Sequence, residues 1–259
     1  MIYIKSKKEI DLMREGGKIL AQVVSELENF LNHRDEACLV STLDLDKLAE
    51  KLIKERGAVS AFKNYGQEWG NPFPGNICVS LNDEIVHGIG KKERIIKNGD
   101  LVKIDAGIIY KNYVTDMART FIVGEGNDEA KKLVEVTEQC FWEGVKNLKE
   151  GKMLSEYSKA VQNYVEKNGF SVIRNLVGHG VGKNLHEDPQ IPNYYNKKFG
   201  DVRLEAGMVL ALEPMVNVGS FENRIKKDGW TFVTKDGKLS AHYENTVVIT
   251  KTGVEVITQ

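Results

Sequence analysis

Cysteine is scarce in this chain, and the scarcity excludes two readings at once. The three cysteines, Cys38, Cys78 and Cys140, are too few and too unevenly spaced for a disulfide framework or a thiolate metal site. No apolar run approaches membrane-spanning length, and residues 1–17 (MIYIKSKKEIDLMREGG) carry charges where a signal peptide needs its apolar core. The expectation is a cytoplasmic protein with no membrane partner. An excess of one charge is missing too: the net charge is -1, and the pairs Lys91-Lys92, Lys197-Lys198 and Lys226-Lys227 are scattered, which argues against a nucleic-acid groove. What remains is globular: 259 residues, 41% hydrophobic and 28% charged, enough for one large domain or two small ones.

Ser6-Lys7-Lys8-Glu9 has the form of a capping box, and Ile10, Met13, Gly17, Leu20, Val24, Leu27 and Leu31 follow as one helix stripe. A second helix is expected over 43–56, capped by Ser41 or Thr42 and closed by Gly57, with a short strand over 58–62. Residues 63–76 are irregular, holding Tyr65, Trp69 and Pro72-Phe73-Pro74-Gly75. Aromatics fixed on such a loop can line a pocket, although a plain surface loop is the commoner meaning. A strand is expected over 77–81, after which Asn82-Asp83-Glu84 turns the chain toward Ile85-Val86-His87-Gly88.

The second half repeats this order, with helices over 128–149 and from a Ser155 cap to Gly169, then a strand over 171–177. His87-Gly88-Ile89-Gly90 recurs as His179-Gly180-Val181-Gly182, and Asp105 and Glu213 follow Gly99 and Gly207 at equal spacing. The shared order predicts one domain over 1–259 with similar halves, about 1–125 and 126–259. It would be an α/β (α+β) fold, an antiparallel sheet backed by helices.

The chemistry concentrates in residues 101–121, LVKIDAGIIYKNYVTDMARTF. They read as a hairpin turning at Lys111-Asn112, and each strand holds an aspartate, a residue that sheets avoid. With that turn Asp105 faces Ala118, and Asp116 shares its face one diagonal step away. A loop shifted by one residue would make the two aspartates direct partners, still on one face. Two carboxylates so close in an apolar run repel and lose hydration. Either a cation sits between them, or they are exposed or paired with Lys103 or Arg119.

Glu213 interrupts the apolar strand over 208–212 before Pro214, and Glu244 stands immediately before a strand over 246–250. An ion pair explains one embedded acid well and four poorly. An oxygen-rich set with a single nitrogen suits two hard or borderline divalent ions. Among His87, His179 and His186, the expected ligand is His179, which lies between glycines directly after a strand.

The ordered set IDAG with Asp105, TDMART with Asp116, GHGVG with His179, LHEDPQIPNY with His186, LALEPMV with Glu213 and SAHYENTVVIT with Glu244 resembles a type I methionine aminopeptidase over about residues 5–257. The resemblance implies the pseudo-twofold pita-bread fold and removal of the initiator methionine from nascent chains. It implies two divalent ions (cobalt, manganese, iron or zinc), with Asp116 and Glu244 bridging both, Asp105 completing one site, and His179 with Glu213 completing the other. Glu213 would also shuttle the proton of the attacking water. His186 would donate to the carbonyl oxygen, and His87 would contact the scissile amide nitrogen. The substrate's free amine would bind at the ion carrying Asp105, as an aminopeptidase requires. For the methionine side chain the resemblance points to Phe73, Cys78 and Trp230, an apolar, sulfur-tolerant lining.

The chain departs from the family pattern in two places. YGQEWGNPFPG around Trp69 lacks the glycine-tyrosine-histidine run common in bacterial relatives, and Leu185 replaces an aromatic before His186. His242 shares strand parity with Glu244 and is either a partner of the ligands or a surface histidine. The short interval from His179 to Glu213 has no room for the inserted subdomain of type II enzymes. The start near the first helix matches a bacterial form without the eukaryotic N-terminal extension. A monomer acting near the ribosome on termini with a small second residue is expected. Two competing readings are an Xaa-Pro aminopeptidase or prolidase, which normally brings a large N-terminal domain, and a pita-bread binding module that has lost catalysis.

Overall fold

The computed structural model describes residues 1–32, 39–198 and 200–259, so Cys38 lies outside the described residues. The Ser6 capping box forms: the backbone N–H and Oγ of Ser6 donate to Glu9 Oε2 at 2.8 and 2.7 Å. Helix α1 (Lys7–Asn32) starts there and buries the predicted stripe. Gly17 lets the chain's last strand region close on this helix, since a Cβ there would stand 2.0 Å from the Ile257 carbonyl oxygen. Helix α2 (Thr42–Glu55) opens on Ser41, whose side chain accepts the Asp44 N–H while Asp44 caps the Ser41 N–H in return.

The strand expected over 58–62 shrinks to β1 (Val59–Ser60). Ser60 Oγ accepts the N–H groups of Phe62 and Lys63 at 3.0 and 3.1 Å and turns the chain out of the sheet. The loop beyond holds one short 3-10 turn, Gln67–Trp69. Strands β2 (Cys78–Leu81), β3 (Glu84–Val86), β4 (Leu101–Tyr110) and β5 (Tyr113–Ile122) follow. Lys111 and Asn112 both take positive φ, 48° and 68°, as the tight β4–β5 turn demands. Register follows from that turn: Asp105 stands opposite Ala118, and Asp116 opposite Gly107.

Helix α3 (Asp128–Val145) ends earlier than expected, because the chain then tightens: the Leu148 N–H bonds the Val145 carbonyl at 3.0 Å and Leu148 enters the core. Ser155 is not the cap of α4 (Ser155–Lys167) but its first residue. Its N–H and Oγ donate to Asp201 at 3.0 and 2.6 Å, so a carboxylate distant in sequence covers this helix start. The strand expected over 171–177 splits into β6 (Ser171–Val172) and β7 (Val177–Gly180), which join different sheets. The rest of the chain forms β8 (Glu187–Pro192), β9 (Val209–Leu212), β10 (Met215–Asn217), β11 (Asn223–Ile225), β12 (Phe232–Thr234), β13 (Ser240–His242), β14 (Glu244–Ile249) and β15 (Val254–Val256). Glu244 is thus inside its strand rather than ahead of it.

Among the described residues one nine-stranded sheet follows the path β1-β4-β5-β14-β9-β7-β8, with β2 on β4 and β15 on β14. Every pairing in it is antiparallel. Helices α1 and α2 pack on Val102, Ile104, Ala106 and Ile108 of β4, and α3 and α4 pack on Leu210, Leu212, Val247 and Ile249 of β9 and β14. Strand alternation then sends Asp105 to the opposite face, and Val114, Val209, Ala211 and Val248 form a separate cluster there. Since β14 joins β5 to β9, that face brings acids from both halves of the chain together. No helix of the described residues is long and apolar enough to cross a membrane.

Candidate active site

The ten residues that the sequence assigned to the site line one cavity. Asp105, Asp116, Glu213, Glu244 and His179 share it with His87 and His186, and Phe73, Cys78 and Trp230 contribute apolar wall. Cys78 reaches this place by register, as the direct cross-strand partner of Asp105. Phe73 meets Trp230 edge-on at 5.3 Å, and Trp230 meets His87 at 6.3 Å. Asp228 anchors that wall by accepting the N–H groups of Trp230 and Thr231, each at 2.9 Å.

The donor atoms of Asp116, His179 and Glu244 all lie within 4.8 Å of one another, and so do those of Glu213, His242 and Glu244. His179 Nε2 is 3.7 Å from Glu213 Oε1. Its Nδ1 lies 2.8 Å from the Gly180 carbonyl, which can only accept, so Nδ1 carries the proton and Nε2 turns a bare lone pair toward the acids. Backbone ties hold the two acid-bearing strands in place: the Asp116 N–H donates to Thr246 Oγ1 at 2.9 Å, and that hydroxyl donates to the Asp116 carbonyl at 2.8 Å.

The alternative of lysine or arginine pairing is excluded for both aspartates. Lys103 is buried, but its Nζ donates to the carbonyls of Asn82 and Ser240 at 2.8 and 2.9 Å. Arg119 donates to the Glu244 and Ala118 carbonyls at 2.6 and 2.9 Å and to Asn245 Oδ1 at 2.8 Å. Asp105 Oδ1, Asp116 Oδ1 and Glu244 Oε1 are left buried with no hydrogen-bond partner among the described residues. Burial raises Asp105 to about 7 and Glu213 to about 8. It also pushes Asp116 and Glu244 upward, and neighbouring carboxylates add to the effect. Burial lowers His179 to about 3 and His87 to about 4. Orphaned carboxylate oxygens beside a neutral imidazole lone pair are a donor set that divalent cations fit.

The glycines around His179 stand where its strand runs closest to its neighbours. A Cβ on Gly178 would stand 2.5 Å from the Ala211 carbonyl oxygen, and one on Gly180 would stand 2.1 Å from that of Asp188. They let β7 pack against its neighbours, which fixes where His179 emerges. His242 is buried rather than on the surface, with Nε2 at 3.6 Å from Glu213 Oε2 and 3.8 Å from Glu244 Oε2. Its parity with Glu244 was the available signal. Phe62 and Tyr65 also line the cavity; the sequence alone did not single out Phe62, whereas Tyr65 belongs to the loop whose aromatics can line a pocket.

Comparison with known proteins gives the family. Residues 11–251 match the model of metallopeptidase family M24. The chain is 47% identical over 259 residues to methionine aminopeptidase 1 of Bacillus subtilis, covering all of both chains. It is 45% identical over 258 residues to a methionine aminopeptidase of Clostridium acetobutylicum, covering 100% of this chain and 99% of that one. The crystal structure of a methionine aminopeptidase from Thermotoga maritima superposes with a TM-score of 0.93 at 41% identity, with full coverage of both chains. The pita-bread fold, the buried acids on its inner face and full-length similarity all lead to one placement: the chain belongs to metallopeptidase family M24, among the methionine aminopeptidases.

Proposed function

We propose that this chain is a metal-dependent aminopeptidase that removes the N-terminal methionine of polypeptides, favouring a small second residue. The observation that carries the reading is the convergence of Asp105, Asp116, Glu213, Glu244 and His179 on one cavity walled by Phe73, Cys78 and Trp230. Asp116 and Glu244 would serve both of two divalent ions, with Asp105 completing one position and His179 with Glu213 the other. Divalent ions held there supply Lewis-acid chemistry, polarising a peptide carbonyl and making water a better nucleophile at neutral pH. Cobalt, manganese, iron and zinc all suit the donor set.

The chain's own groups do the remaining work. Glu213 takes the proton of the attacking water and returns it to the leaving amine. His186 donates to the carbonyl oxygen as negative charge builds there, and His87, kept neutral by burial, contacts the scissile nitrogen. Phe73, Cys78 and Trp230 receive the thioether, and their packing leaves it little water. On this reading residues 1–259 form one domain with halves of about 1–125 and 126–259, working in the cytoplasm as a monomer on nascent chains near the ribosome.

The test is mass-spectrometric release of methionine from Met-Ala-Ser and its N-acetylated twin, with chelated protein before and after manganese or cobalt. Release is expected only from the free amine and only with metal. Equal release from Met-Lys peptides would refute the small-residue preference, and no release with manganese or cobalt, or with iron and zinc added in turn, would refute the activity.

A further inference from the structure

We propose that Tyr65 is a positioning residue that fixes the tautomer of His186, a role that rests on the reading of His186 as a donor to the substrate carbonyl. Tyr65 Oη lies 2.5 Å from His186 Nδ1, with the rings 5.1 Å apart at 73°. Tyr65 stands in the loop where this chain departs from the family pattern, and it is braced there. Trp69 packs edge-on against its ring at 5.4 Å, its N–H donates to the Phe62 carbonyl at 2.9 Å, and its carbonyl accepts the Phe73 N–H at 2.8 Å.

The direction of the hydrogen bond follows from the two groups. A phenol O–H is a stronger donor than an imidazole N–H, and a bare imidazole nitrogen is a stronger acceptor than a phenol oxygen, so the contact is made with the Tyr65 O–H pointing at Nδ1. A phenol that donates to Nδ1 requires Nδ1 to be bare, which leaves the imidazole proton on Nε2. His179 makes the opposite choice through Gly180, and the two rings stand 4.4 Å apart. Neighbouring histidines thus carry opposite tautomers: His179 keeps a lone pair on Nε2 for a cation, and His186 keeps an N–H on Nε2 for an oxygen. Without the Tyr65 hydroxyl nothing on Nδ1 selects between the two forms of His186, and only one of them donates from Nε2.

The experiment uses the full chain loaded with zinc and labelled with nitrogen-15 histidine, the His186 signals being assigned with His186→Gln. The wild-type spectrum is expected to show a bare Nδ1 and a protonated Nε2. Tyr65→Phe keeps the ring packing and removes the hydroxyl. It is expected to shift His186 to a mixture of tautomers and to lower kcat on Met-Ala-Ser by about fivefold to tenfold, with KM changed by less than about twofold. A wild-type His186 protonated on Nδ1 overturns the proposal, even if the variant fails to fold. An unchanged tautomer and kcat in Tyr65→Phe overturn it as well. Failure of the wild type to release methionine would sink the functional reading instead, because the tautomer is read without turnover.

Discussion

His242 Nε2 stands 3.6 Å from Glu213 Oε2, and neither nitrogen of its buried ring has a hydrogen-bond partner among the described residues. A buried imidazole in that state is placed to act on the neighbouring carboxylates, with which it forms a group that could hold an ion. Replacing His242 by Ala is expected to weaken divalent-ion binding by about 10-fold to 100-fold, the range for groups that orient metal ligands. Calorimetric titration of the chelated protein checks this, and two undiminished binding steps would remove His242 from the site.

Chelation should make stability fall as pH rises. Asp105 at about 7 and Glu213 at about 8 lie above their ordinary values of 3.8 and 4.5, so their contribution is full below those values and is lost as pH climbs through the folded ones. The histidines act oppositely: lowered from 6.5 to about 3 for His179 and about 4 for His87 and His242, they lose their contribution as pH falls below 6.5. The two effects oppose each other between about pH 4 and 6.5; above that the carboxylates, Asp116 and Glu244 among them, go on lowering stability and outweigh the opposite effect of buried Lys103, which is lowered from 10.5 to about 7. The chelated protein is therefore expected to melt lower at about pH 8.5 than at about pH 6.5, with added ion giving the larger rescue at the higher pH. Equal melting temperatures at both values would contradict the carboxylate assignment.

Lys103 joins two carbonyls that the sequence separates widely, those of Asn82 and Ser240. Lys103→Met keeps the length of the side chain and takes the ammonium away from both oxygens. A loss of about 1–3 kcal/mol is expected in urea unfolding, because both carbonyls lose a charged donor, although that of Asn82 keeps the Ser240 N–H at 3.1 Å. A change below about 0.5 kcal/mol would show that the ammonium is not needed there.

Gly180 has no room for a methyl group, since a Cβ would lie 2.1 Å from the Asp188 carbonyl oxygen. Gly180→Ala is expected to cost more than about 3 kcal/mol, or to displace β7 and with it His179, lowering ion affinity in whatever fraction folds. Wild-type stability and affinity in this variant would show that β7 and β8 separate easily.

Several features of the site were legible because they are local. The Lys111-Asn112 turn sets the β4–β5 register, and a period of two then puts Asp105 and Asp116 on one face whatever the rest of the chain does. The Ser6 and Ser41 caps are legible for the same reason, each being a pattern within a few residues. The cap of α4 was misread because its carboxylate, Asp201, is remote in sequence, and Ser155 offered a plausible local substitute. The 58–62 strand was overextended because Ser60, an ordinary strand residue by composition, turns its hydroxyl back on the next two N–H groups.

By itself the sequence determined which residues are the candidates for chemistry and in what order, since acids in apolar strands are misfits that the chain's own periodicity exposes. It also determined the helix pairs and the hairpin, whose signals lie within a turn or two of the backbone. Only the tertiary structure decided that Lys103 and Arg119 serve carbonyls rather than the aspartates, that His242 faces Glu213, and that Tyr65 meets His186. Those pairings depend on β14 joining the two halves and on how a loop folds over the sheet. Distances of a few ångströms between residues far apart in the chain follow from the packing of whole elements, which no local pattern encodes.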